Sequence, residues 1–167
     1  PLPVLESGIS CTQPWTFLAA ESGTKGDIVG SEDCLTLNVW APQRLSANPS
    51  VTEAKLPVMV WIHGGGNSVG SSHYYQGQNL AEDQKIIFVS VNYRLGLLGS
   101  FTHKSIRNTA ANPSDASGNY GLLDIIAALN WIKSNIHAFG GDAGNVTLFG
   151  ESAGGRNIFA LVASPLA

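Results

Sequence analysis

The residues with the clearest chemical potential lie in Gly150-Glu151-Ser152-Ala153-Gly154, a G-x-S-x-G pattern. A serine hydroxyl is a weak nucleophile until a neighbouring base takes its proton. A sharp turn between glycines suits that use, because it exposes the hydroxyl where a larger neighbour would collide with backbone. Alone, the pentapeptide is weak evidence, since Gly, Ser and Ala are common. Its setting strengthens it. Val146-Thr147-Leu148-Phe149 reads as a strand before it, and Ile158-Phe159-Ala160-Leu161-Val162 reads as the start of a helix after it. The second informative run is His63-Gly64-Gly65-Gly66, at the end of the apolar stretch Pro57–Ile62. Successive glycines let backbone N–H groups turn toward a substrate. Attack on a carbonyl places negative charge on its oxygen, and a fixed donor there contributes about 3–4 kcal/mol. The plainer readings are an incidental serine and a flexible Gly-rich loop. Both patterns together, each closing an apolar strand, favour acyl chemistry.

The elements that must position these runs alternate between strand and helix. Leu35–Trp40 alternates as a half-buried strand, Pro57–Ile62 is a continuous apolar run covered on both faces, and Ile86–Asn92 is a further β-rich run. Leu122, Ile125, Ile126, Leu129, Ile132, Ile136 and Phe139 recur at helical spacing, which predicts a helix over 121–139 stopped by Gly140-Gly141. Residues 1–34 read as loop, 41–55 as a polar surface connection and 102–119 as a long excursion. This order predicts an α/β fold, with a right-handed crossover laying the long helix on one face of the sheet.

Composition bounds the answer. A chain of 167 residues corresponds to about one domain. Hydrophobic residues are 44% of it and charged residues only 13%, about half the usual ~25%. That balance excludes a solvated disordered chain and suggests a piece of a larger body. Nine Lys and Arg against 12 Asp and Glu give a net charge of −3. No basic stripe points to nucleic acid and no polybasic run to an anionic membrane. No apolar run approaches the ~20 residues of a membrane span. Pro1-Leu-Pro-Val-Leu-Glu6 has no basic segment before an apolar one, so no signal peptide is expected there, and the missing initiator Met suggests a processed chain or a fragment. Cys11 and Cys34 either pair, which contributes about 3 kcal/mol in the chain-entropy account, or remain two buried thiols.

Five ordered motifs carry a resemblance. Ser31-Glu-Asp-Cys-Leu-Thr-Leu-Asn-Val39, Trp61-Ile-His-Gly-Gly-Gly66, Asn92-Tyr-Arg-Leu-Gly96, Phe139-Gly-Gly-Asp142 and Gly150-Glu-Ser-Ala-Gly-Gly155 together closely resemble the type-B carboxylesterase and cholinesterase family of α/β-hydrolases. The resemblance implies a partial α/β-hydrolase fold, with residues 1–167 an incomplete part of a single catalytic domain. It implies that Ser152 is the acylated nucleophile and that the N–H groups of Gly65, Gly66 and Ala153 are oxyanion donors. It implies a Cys11–Cys34 disulfide, which favours a secreted or periplasmic protein, and a structural ion pair between Arg94 and Asp124. An ester is the implied substrate, with no cofactor. No metal is expected either, because no His, Cys and carboxylate cluster has ligand spacing. In this fold the triad runs Ser, then acid, then His. His63 is therefore expected to belong to the oxyanion loop, held by backbone hydrogen bonds, and His73, His103 and His137 to lie on the surface or in loops. Glu151 is expected to face away from the serine along the turn. Two departures stand out: Asn67 follows the triple glycine, where an aromatic residue is usual, and Arg156-Asn157 stand where small residues or a serine are common.

After Ser152 the chain holds no Asp, Glu or His. The acid and histidine of the family are expected outside it, on a second polypeptide or a missing segment. The expected function is a serine carboxylic-ester hydrolase working through an acyl-enzyme. The other readings are an inert fragment or a non-catalytic, cholinesterase-like adhesion module, which retention of Ser152 disfavours. The sheet is expected to expose apolar surface on both sides.

Overall fold

The structure is a computed structural model that describes residues 8–43 and 55–166. The expected surface connection over 41–55 falls mostly outside the described residues, as does the N-terminal hexapeptide.

Two-residue strands β1 (Gln13–Pro14) and β2 (Ile28–Val29) pair antiparallel within the stretch expected to be loop. They are too short to show a period of two in sequence. The main sheet contains β3 (Leu37–Trp40), β4 (Leu56–Ile62), β5 (Ile87–Val91) and β6 (Gly141–Gly150). Its spatial order is β3-β5-β4-β6; β4 runs parallel to β5 and β6, and β3 runs antiparallel to β5. β6 is longer than Val146–Phe149 because its ladder continues across a register shift to Gly141, opposite Leu56.

The helices are α1 (Gln78–Gln84), α2 (Gly96–Ser100), α3 (Lys104–Thr109), α4 (Tyr120–Asn135) and α5 (Ala153–Val162). The first three are one or two turns long, too short for an apolar stripe to be read. α3 interrupts the expected excursion and is exposed along its length. The helix expected over 121–139 is α4 followed by a 3-10 turn, Ile136–Phe139, and it ends at Gly140 with φ 83°. α5 begins at Ala153, before its first apolar-periodic residues, because Gly154, Gly155, Arg156 and Asn157 give no amphipathic signal.

Val58, Val60 and Ile62 of β4 and Ile87, Val89 and Val91 of β5 share one buried cluster with Ile125 and Ile132 of α4, Ile136, and Leu161 of α5. The alternate residues form an aromatic chain: Trp40 with Phe88 at 5.5 Å between ring centroids, Phe88 with Phe149 at 5.9 Å, and Phe149 with Trp61 at 4.9 Å. The register then fixes the site. Ile62 pairs in parallel with both Val91 and Gly150. Three strands therefore end level, and their loops leave along one edge, where sheets of this kind bind ligands.

Candidate active site

Because Ile62 lies opposite Gly150, His63-Gly64 and Glu151-Ser152 leave the sheet side by side. A Cβ on Gly64 would come within 3.3 Å of Ser152 Cβ and 2.6 Å of Glu151 Oε2. The glycine loop and the serine turn are thus in contact. The Glu151 carboxylate lies against Gly64 of the glycine loop. It occupies the space that a side chain at residue 64 would fill. Burial, and after it the charge of Glu151, raises the pKa of the Tyr75 phenol and so disfavours its ionisation.

Ser152 has φ 53° and ψ −117°, a left-handed conformation that costs a non-glycine residue about 1–3 kcal/mol. The turn around it is closed by Gly154 N–H donating to Glu151 O at 2.8 Å and Arg156 N–H donating to Ser152 O at 3.1 Å, which starts α5. A side chain on Gly154 would run into the Ile62 carbonyl. Ser152 is exposed while Ala153 and Gly154 are buried. The serine is held outward on a buried support.

The loop after β4 is left-handed at three consecutive residues: Gly65 at φ 96°, Gly66 at 66° and Asn67 at 58°. Ser68 and Val69 N–H both donate to Gly65 O at 3.1 Å. Among the described residues, the N–H groups of Gly65, Gly66 and Ala153 donate to no protein acceptor. Unpaired N–H groups on both elements of the site can receive a developing oxyanion.

His63 is buried at the base of this loop. Its Nδ1 lies 2.9 Å from Gly64 O, which places the ring proton on Nδ1 and leaves the buried Nε2 without a protein partner. The ring stacks on Tyr93 at 4.4 Å. Burial pushes its pKa down to about 4, so the ring is neutral at physiological pH. Tyr93 OH donates to His63 O at 2.7 Å and is itself held protonated by burial. Sequence reasoning missed Tyr93, although it sits in the Asn92-Tyr-Arg-Leu-Gly96 motif. Of the other histidines, His103 and His137 are exposed and His73 is half-buried. Arg156 is exposed.

The N-terminal loop braces the far end of the glycine loop. Cys11 and Cys34 are joined, with Cα atoms 4.9 Å apart. The buried Gln13 side chain donates to Gly70 O at 2.8 Å and Cys11 O at 3.0 Å, and accepts from Gly70 N–H at 2.7 Å. Asn92 accepts from Ser72 N–H at 2.8 Å and donates to Ile9 O at 2.9 Å and Cys34 O at 3.2 Å. Neither residue was singled out in sequence. An Asn that ends the apolar β5 run was the available signal. Arg94 and Asp124 are in contact. Nε and Nη2 of Arg94 each donate to the carboxylate at 2.8 Å, and Arg94 N–H donates to it at 2.9 Å. The carboxylate raises the Arg94 pKa further. This fork ties α4 to the end of β5. Among the described residues, no cluster of His, Cys, Asp and Glu could hold a metal ion, and no helix is long and apolar enough to cross a membrane.

Level parallel strand ends, a strained serine turn and a glycine loop beside it make this part of an α/β-hydrolase fold. A solved PNB esterase superposes with a TM-score of 0.78 at 44% identity, covering 97% of this chain and 31% of its own. An esterase from Clostridium hathewayi, described as able to hydrolyse aliphatic aromatic polyesters, gives 0.78 at 36% identity over 96% of this chain and 31% of its own. In sequence, carboxylesterase 1D of Rattus norvegicus is 48% identical over 137 residues, 82% of this chain and 22% of the relative. The fumonisin B1 esterase of Sphingopyxis macrogoltabida is 46% identical over 138 residues, 81% of this chain and 24% of the relative. A profile of the carboxylesterase family matches residues 4–167, and the chain belongs to that family. It spans less than a quarter of the length of these two curated relatives.

Proposed function

We propose that this chain is the nucleophile-bearing part of a serine carboxylic-ester hydrolase, one incomplete part of a single catalytic domain. Ser152 Oγ attacks the ester carbonyl carbon. The carbonyl π pair moves to oxygen, where the N–H groups of Gly65, Gly66 and Ala153 receive it. Collapse expels the alcohol, and water then releases the acid from the acyl-serine. A histidine serves as base and then acid, oriented by a carboxylate. Both are supplied from outside residues 1–167, because no Asp, Glu or His follows Ser152 here. The observation that carries this reading is the Ser152 backbone at φ 53°, held against the glycine loop. Strain of that kind persists only where surrounding structure enforces it. The buried Cys11–Cys34 bond supports an oxidising compartment, secreted or periplasmic.

The test is covalent labelling of the full-length protein with a fluorophosphonate, followed by peptide mass analysis. Labelling at Ser152, lost in Ser152→Ala together with hydrolysis of p-nitrophenyl butyrate, is the expected result. Hydrolysis that survives Ser152→Ala would sink the assignment.

A further inference from the structure

Asn67 and Asn157 form a reciprocal amide pair. Asn67 Nδ2 donates to Asn157 Oδ1 at 3.1 Å, and Asn157 Nδ2 donates to Asn67 Oδ1 at 2.9 Å. Asn67 ends the triple-glycine loop. Asn157 is buried on α5, the helix whose first N–H belongs to Ala153. We propose that this pair is a positioning device that holds the oxyanion loop in register with the nucleophile helix. The proposal rests on the ester-hydrolase reading of Ser152.

The geometry requires such a device. The oxyanion donors come from two separate elements, and they must converge on one atom to within roughly half an ångström. Gly64, Gly65 and Gly66 offer no side chain with which to anchor the loop. Asn67 is the first residue that can, and at φ 58° it occupies a conformation that asparagine tolerates better than most residues. The loop is already fixed to the β5 side: Gly96 N–H donates to Asn67 O at 2.7 Å, and Tyr93 OH holds His63 O. Among the described residues, the amide pair is the hydrogen-bonded link from residues 64–67 to α5. Two antiparallel amide bonds fix distance and rotation together, which one hydroxyl bond would not.

The experiment uses the full-length protein, p-nitrophenyl butyrate for turnover and a trifluoromethyl ketone as mimic of the tetrahedral adduct. Asn157→Asp and Asn67→Asp are nearly isosteric and turn one donor of the pair into a carboxylate oxygen facing a carbonyl oxygen. Each is expected to lower kcat about 10–100-fold with KM held within about threefold. The inhibition constant of the ketone should rise in proportion to the loss in kcat/KM. If the Asp variants do not fold, Asn67→Gly and Asn157→Ala give the same comparison without added charge. Variants that lose thermal stability but keep kcat and ketone affinity overturn the proposal and leave the pair a merely structural, half-buried contact. A parent protein with no Ser152-dependent labelling overturns the ester-hydrolase reading, and this proposal with it. Labelling of the parent with unchanged variant kinetics overturns this proposal alone.

Discussion

At the scale of single residues, the site stores strain at one position and an uncharged imidazole at another. Within Gly150–Gly154, Ser152 alone has a positive φ, at 53°. Ser152→Gly removes the clash of a Cβ with that backbone, so it should stabilise the fold by about 1 kcal/mol while abolishing fluorophosphonate labelling. Urea midpoints at equal m-value measure it; a less stable variant would mean that contacts of the serine, not strain, dominate. His63 makes a pH-dependent prediction. Its pKa is about 4 in the folded state, against 6.5 for an ordinary imidazole. As pH falls below the higher value, the unfolded chain takes up a proton that the folded chain refuses. Stability is therefore complete above about pH 6.5 and is lost down to about pH 4, by up to about 3 kcal/mol. His63→Gln should flatten the pH dependence in that window. Equal slopes for parent and variant would show that the imidazole is not the group responsible.

At the scale of elements, what the sequence reveals depends on how far apart the interacting residues are. β4 and β5 were legible because central strands read as unbroken apolar runs; β5 is buried on both faces as expected, whereas β4 is buried on one face and half-buried on the other. The serine and glycine motifs were legible because each is contiguous and sits at a strand end. The start of α5 was not, since Ala153-Gly-Gly-Arg156 has no helical stripe and takes its helicity from the turn that Gly154 N–H closes. The brace was invisible too: Gln13 meets Gly70 across 57 residues, and a polar side chain in an irregular segment gives no periodic signal. Gln13→Leu fits the space but strands the Gly70 N–H and C=O in a buried setting. Leaving both groups unpaired should cost about 2–4 kcal/mol. On the proposed ester-hydrolase reading it should also raise the ketone inhibition constant, by loosening the far end of the glycine loop. Thermal and urea unfolding give the first value and inhibition the second. A variant as stable as the parent would show that water pairs Gly70 and that the brace is dispensable.

At the scale of the whole molecule, the low charge of the chain and its surface have the same cause. Charged residues are 13% of the sequence, and the described surface carries large apolar side chains in a cluster: Phe159 is 79% exposed and Val162 81%, both on α5. β6, beside it, is an edge strand of the main sheet. Single exposed apolar residues are ordinary, but a helix face and an open strand edge side by side form a sticky surface. The proposal that residues 1–167 are part of one larger domain makes that surface interior in the full-length protein. A polypeptide of residues 1–167 alone should then bind a hydrophobic dye and sediment as a concentration-dependent oligomer. Phe159→Lys with Val162→Lys should shift it toward monomer, since added charge blunts both the helix face and the neighbouring edge. In the full-length protein the same pair should instead destabilise the fold, by roughly 2–5 kcal/mol, because two cations would replace buried apolar side chains. The opposite signs are the informative result. Lysines that are harmless in the full-length protein would place this face on its surface and would defeat the single-domain proposal.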